Sequence, residues 1–325
     1  MSTIDLHVDT LLKLQRKNNT GDLGINNDTS VDLKRLFEGR YSAQFFAMYP
    51  MSDMNFEEDN IVEMSQFELI ENMINSFYCN LERYSDFIAF AGNYIDLLSN
   101  MKDRKVSAFL TIEDGAVIDN DLDKLDYYYN QGVRLISLTW NYENCFGYPN
   151  SRDPVIMNKG LKPFGKEAVE YMNELGMIID VSHLSDGGFY DVIKTSKKPV
   201  AATHSNARAI TPHPRNLSDE MIKTLANAGG ICGVNFCSSF LNTRNDGYSY
   251  IDDIVQHLNH LKNVGGEGFV ALGSDYDGIS NEVEISGPQD IRLLFDALLK
   301  SGWNERQIEN LKFQNVTRFI RDTLK

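Results

Sequence analysis

The sequence predicts an α/β protein built as a (β/α)8 TIM-like barrel, on three observations. Strand-like apolar runs alternate with helix-like segments from end to end, the pattern of a parallel sheet with helical crossovers. The strand-like runs number eight. A length of 325 residues suits one such barrel with insertions.

The opening run is Ile4–Thr10 (IDLHVDT), followed by Tyr41–Tyr49, Val106–Ile112 and Val133–Thr139. Met177–Val181, Pro199–Thr203, Gly230–Phe236 and Phe269–Gly273 complete the eight. Between them, helices announce their ends. Ser185 reads as an N-cap, with Leu184 and Phe189 placed as a hydrophobic staple and Asp186 favourable to the helix dipole. Ser218 repeats the arrangement between Leu217 and Ile222, and Gly229-Gly230 ends that helix. Ala168, Met172 and Leu175 share one helix face, which Gly176 terminates. The expected organisation is one barrel domain over 1–325, with a mostly helical insertion at about 50–105 and closing helices over Asp296–Lys325. Two loop-like stretches, Asn141–Lys159 and Cys237–Tyr250, follow predicted strands, where barrel loops build active sites and lids.

Composition narrows the partners. With 42% hydrophobic residues the chain can bury a large core, and a net charge of −15, from 46 acidic against 31 basic residues, works against nucleic acid and anionic membranes. A small molecule or peptide is the expected partner. No apolar run approaches the ~20 residues of a membrane span. Asp5 and Asp9 interrupt any signal-like start, so a cytoplasmic protein is expected. Cys79, Cys145, Cys232 and Cys237 form no paired framework, as suits a reducing compartment, and Cys232 and Cys237 read as packing thiols.

Polar residues gather at one level of the predicted barrel: His7 and Asp9 after the first strand, Glu113 after the third, His183 after the fifth, His204 after the sixth and Asp275 after the eighth. In an extended strand residues i and i+2 share a face, which would bring His7 and Asp9 together. Singly, each has a plain structural use. His183 can be satisfied by a carbonyl, His204 can sit in a turn beside Ser205, Glu113-Asp114-Gly115 can be an acidic turn, and Asp275 can cap a loop.

Their joint placement points instead to a metal centre. Zinc is the first expectation, with manganese, cobalt or iron behind it. Five ligands exceed the need of one catalytic ion with an open position, so two ions are expected. His7, Asp9 and Glu113 would hold one, and Glu113, His183 and His204 the other. Two ions ~3.5–4 Å apart would hold a bridging hydroxide as nucleophile and polarise a carbonyl. Asp275 would pass the proton to a leaving amine. Arg215, in HPRNLSDE after the sixth strand, offers a fork for a carboxylate, although most such arginines are solvated.

LHVDT, TIEDG, LTWN, LGMIIDVSHLSD, PVAATHSNARA with HPRNLSD, and ALGSDYDG together resemble the membrane dipeptidase (renal dipeptidase) family, the M19 metallopeptidases, in order from about Ile4 to the C-terminus. The resemblance implies an amidohydrolase-like barrel with two zinc ions per chain that cleaves small dipeptides, including some with a C-terminal D-residue, and a homodimer. It implies His7 and Asp9 on one zinc, Glu113 as bridge, His183 and His204 on the other, Arg215 on the substrate carboxylate and Asp275 as acid/base. Mammalian members carry a histidine after the fourth strand that helps stabilise the tetrahedral intermediate. LTWN places Trp140 there, as in many bacterial members, and its indole N–H is a donor on the substrate side. The secretion signal and lipid anchor of the mammalian enzymes are not recognised, in line with a cytoplasmic protein.

Many two-metal amidohydrolases bridge their ions with a carboxylated lysine at the end of the fourth strand. LISLTWN has none, and Glu113 takes that role from the third. Two other readings remain: the same site acting on another substrate, as an N-acyl-amino-acid amidase or lactonase, and a barrel that has lost catalysis. Retention of every expected ligand argues against the second.

Overall fold

A computed structural model describes residues 2–53 and 55–325. Eight parallel strands form the barrel: Thr3–Val8, Tyr41–Met48, Val106–Glu113, Val133–Ser137, Ile178–Asp180, Ala201–Ala202, Ile231–Val234 and Val270–Leu272. Each pairs with the next, and the first pairs with the eighth (Asp5 opposite Leu272), which closes the sheet. Closure removes the edges an open sheet would expose. The expected fold is the observed one.

A ninth short strand, Ile88–Phe90, pairs with Val106–Ala108 at the start of the third barrel strand. It lies inside the stretch expected to be mostly helical, between the helices Gln66–Arg83 and Tyr94–Lys102. Three residues are too few to carry a period, which is why the sequence does not announce it. Elsewhere the helix signals act as read. Ser185 and Ser218 accept from the backbone N–H groups of Gly188 and Met221, and Gly176 ends the helix Pro163–Leu175 in a left-handed conformation (φ 83°).

The barrel interior is apolar and closed at one end. Ile4, Leu6, Phe45, Phe109, Leu135 and Ile178 pack in one cluster with Phe313, Val316, Phe319 and Ile320 of the C-terminal segment. That segment joins a π-turn, Asn310–Gln314, to the helix Asn315–Thr323. Asn315 Nδ2 donates to the carbonyls of Glu267 and Val270, so the closing helix lies under the N-terminal end of the eighth strand. The opposite, C-terminal mouth of the barrel is left to receive a ligand. Among the described residues no helix is long and apolar enough to cross a membrane.

Candidate active site

His7 and Asp9 do converge, with Nε2 3.3 Å from Oδ2, but not through simple strand alternation. Asp5 pairs with Gln44 and Val8 with Phe46, so the first strand carries an extra residue between them, a β-bulge that re-aims His7. Asp9 lies beyond the strand, with φ −99° and ψ 24°, at the start of the short helix Thr10–Lys13. The end of the eighth strand holds this turn in place: Asp275 N donates to His7 O (3.1 Å) and Asp9 N to Tyr276 O (2.9 Å).

Glu113, the last residue of the third strand, stands at the centre. Its Oε2 is 3.3 Å from His7 Nε2, while its Oε1 is 3.0 Å from His183 Nε2 and 3.2 Å from His204 Nε2. The two oxygens therefore face two different sets of donors. His183 Nδ1 lies 3.1 Å from Asn141 Oδ1 and His204 Nδ1 2.8 Å from Thr203 Oγ1, so each ring can donate from Nδ1 and turn an Nε2 lone pair inward. The rings of His7 and His204 stack at 3.8 Å.

Asp275 completes the ring of side chains, with Oδ1 3.9 Å from His7 Nε2 and Oδ2 accepting from Asn235 Nδ2 at 2.8 Å. Both His183 (φ 68°) and Asp275 (φ 64°) adopt left-handed conformations that cost a non-glycine residue energy, and such positions concentrate at functional sites. Gly278 packs against both acids. A Cβ there would come within 2.2 Å of Asp9 Oδ2 and 2.6 Å of Asp275 Oδ1.

Burial sets the electrostatics. His7 is held well above the usual imidazole range: burial opposes its charge, but Glu113 and Asp9 outweigh burial. Burial would raise Glu113, yet the charge of His7 beside it holds it well below the carboxylate range. Asp9 is pushed up to about 6 by burial and by the Glu113 charge. His183 is pushed down to about 4 by burial and by Arg215. Asp275 is raised well above its usual value, first by burial and then by Asp9 and Glu113 against the pull of His7. Crowded acids that must share protons are what a cation relieves.

A metal fits this donor set. His7 Nδ1, His7 Nε2 and Asp9 Oδ1 are buried without a hydrogen-bond partner. One donor atom from each of His7, Glu113 and His204 lies within 4.8 Å of the others, and so do donors of His7, Asp9 and Asp275. The cluster opens into a cavity of about 310 Å³ walled by Tyr49, Asp53, Trp140, Cys237, Phe240 and Ile279 among others. A larger apolar groove of about 510 Å³, around Leu33, Phe37, Tyr84 and Phe87, contains none of the candidate residues.

Trp140 is therefore on the cavity wall, its ring 4.6 Å from Tyr49 and 6.2 Å from His183. Arg215 is not on that wall. It is buried, Nη1 donating to Ser205 Oγ and Nη2 to His204 O, both at 3.0 Å, with the ring of the wall residue Phe240 5.6 Å from its Cζ. Among the described residues no carboxylate pairs with it, and its Nε has no partner. Cys232 is buried as expected, whereas Cys237 is partly exposed on the cavity wall rather than a packing thiol. Sequence reasoning missed Gly278, Asn235, Asn141 and the buried Asp5 and Asp180. Of these, only Asn141 fell within a stretch the sequence singled out for the site, the loop Asn141–Lys159.

The chain matches the family model for membrane dipeptidase (peptidase family M19) over residues 1–325. An uncharacterized dipeptidase of Schizosaccharomyces pombe is 30% identical over 337 residues, covering 98% of this chain and 80% of that protein. Among solved structures, a metallopeptidase from Rhodobacter sphaeroides liganded with a phosphinate mimic of the dipeptide L-Ala-D-Ala has a TM-score of 0.91 at 27% identity, over 99% of both chains. The dipeptidase AC, a family M19 metallopeptidase, likewise gives 0.91 and 27%, over 100% of this chain and 99% of that one. With the match running from end to end and the barrel shared, the chain belongs to the membrane dipeptidase family, peptidase family M19, and is a metallodipeptidase.

Proposed function

We propose that this metallodipeptidase uses two zinc ions and cleaves small dipeptides, including those ending in a D-residue. His7, Asp9 and Glu113 would hold one ion, and Glu113, His183 and His204 the other. One observation carries the reading: the two oxygens of Glu113 are divided between His7 at 3.3 Å and the pair His183 and His204 at 3.0 and 3.2 Å. A carboxylate so divided suits a bridge. Bound there, the ions supply Lewis acidity toward the peptide carbonyl and make water a nucleophile near neutral pH.

The protein's own groups do the rest. Asp275, raised by burial among acids, is suited to take a proton from water and hand it to the departing amine. Asn235 fixes one of its oxygens and leaves the other facing the cluster. Arg215 is a buried guanidinium without an acid partner, the state in which it would serve a substrate carboxylate. Trp140, on the wall near His183, offers an N–H toward the developing oxyanion. We read residues 1–325 as a single barrel domain serving this one mouth. The inclusion of L,D-dipeptides among the substrates is supported by the Rhodobacter sphaeroides relative, whose ligand mimics L-Ala-D-Ala.

The test is a screen of L,L- and L,D-dipeptides with protein stripped of metal and reconstituted with zinc. Amine release from members of both sets is expected. No release from any dipeptide, with zinc bound, would turn the reading toward an N-acyl-amino-acid amidase or lactonase.

A further inference from the structure

Two buried aspartates occupy equivalent places in the barrel, and neither belongs to the proposed ligand set. Asp5 follows Ile4 and precedes His7, while Asp180 follows Ile179 and precedes His183. Oδ1 of Asp5 accepts from the backbone N–H of His7 and of Ser274, both at 3.1 Å. Oδ1 of Asp180 accepts from the N–H of Ser182 at 3.0 Å and of Thr203 at 2.9 Å. Ser274 immediately precedes Asp275, and Thr203 immediately precedes His204. Each carboxylate thus fastens its own strand's end to the neighbouring strand, one residue before a group of the site.

Asp180 does more. Its Oδ2 accepts from the hydroxyls of Ser137 and Thr203, both at 2.6 Å, and Thr203 Oγ1 lies 2.8 Å from His204 Nδ1. A carboxylate only accepts, so the single hydroxyl hydrogen of Thr203 is committed to Asp180. The Thr203 oxygen is left to accept from His204 Nδ1–H. The hydrogen of neutral His204 then resides on Nδ1, and the Nε2 lone pair faces Glu113 Oε1 at 3.2 Å. Ser137, Asp180, Thr203 and His204 are all 0% exposed, so bulk water offers no substitute partner.

We propose that Asp180 is a positioning residue that sets the tautomer of His204 through the Thr203 hydroxyl and so presents Nε2 to the metal. The tautomer stands on the hydrogen bonds alone. Presentation to a metal rests on the reading of His204 as a ligand.

The division of labour at Asp180 makes Asp180→Asn a sharp test. Its amide oxygen can keep both backbone N–H bonds, and its NH2 then meets two hydroxyl oxygens with two hydrogens. The Ser137 hydroxyl then loses its acceptor, and the Thr203 hydroxyl turns its hydrogen toward His204 Nδ1, which moves the imidazole hydrogen to Nε2. In the metal-free protein, 15N resonances of His204 should report Nδ1–H for wild type and Nε2–H for Asp180→Asn. Zinc affinity of the His183–His204 side should fall roughly 10–100-fold in Asp180→Asn and in Thr203→Val, with Thr203→Ser close to wild type.

Wild-type metal-free protein with His204 as Nε2–H would overturn the proposal without recourse to any variant. An unchanged tautomer in a folded Asp180→Asn protein would do the same. A shifted tautomer with unchanged zinc affinity would refute His204 as a ligand, and with it the presentation to a metal.

Discussion

Gly278 lies against Asp9 so closely that a Cβ at position 278 would stand 2.2 Å from Asp9 Oδ2, and the same Cβ would crowd Asp275 Oδ1 at 2.6 Å. The residue is itself exposed, so the space it leaves serves the two acids rather than the core. Gly278→Ala should therefore leave the thermal midpoint close to wild type while displacing both carboxylates. We expect a loss of up to about 10²-fold in kcat/KM, the scale on which an ångström of misplacement is felt. Steady-state kinetics beside a thermal melt separate the two effects, and a fully active alanine variant would show that the acids accommodate the methyl freely.

Asp275 carries the proton transfer in the proposed chemistry. Asp275→Asn keeps the shape and the contact with Asn235 but removes the base, so zinc content should hold while kcat drops about 10²–10⁴-fold. Turnover at the wild-type rate would remove Asp275 from the acid/base role.

Arg215 is asked to recognise a charge at one end of the substrate. Replacing it by Met should raise KM for dipeptides much more than for the corresponding C-terminal amides, because only the former present a carboxylate. Equal changes on both substrate series would mean that Arg215 supports the His204 carbonyl and Ser205 without touching the substrate.

Protons and metal compete for the same atoms. In the metal-free site His7 is held well above its ordinary value against the cost of burial by Glu113 and Asp9, and so carries a proton at neutral pH. Asp9, raised by burial and by Glu113, takes one up as pH falls through about 6. Both protons must leave before a cation binds, so zinc affinity should rise with pH, with a steepening below about pH 6. Chelator competition between pH 5 and pH 8 reads this directly, and calorimetry in buffers of different ionisation enthalpy should detect proton release at neutral pH. An affinity flat across that range would contradict the arrangement.

Much of this molecule is legible in its sequence for identifiable reasons. The barrel follows from repeated strand-then-helix grammar, and a histidine or acid at the end of an apolar strand is conspicuous because its neighbours are not polar. The local means of bringing the groups together are less visible. His7 and Asp9 meet through a bulge and a turn, and a bulge leaves the apolar pattern of IDLHVDT nearly unchanged. Asp5 and Asp180 are hidden within apolar runs, where a lone acid has no spacing signature and its partners include a backbone N–H group from the neighbouring strand. Cys237 read as packing because no partner cysteine marked it, yet the strand ends before it and leaves the thiol on the cavity wall.

Zinc stoichiometry tests the central claim most directly, since a shared carboxylate makes both ions depend on one residue. Elemental analysis after zinc reconstitution and removal of excess metal should find two ions per wild-type chain, one per chain in His183→Ala and neither in Glu113→Ala. A single ion in the wild-type protein, or two retained by a folded Glu113→Ala variant, would contradict the account.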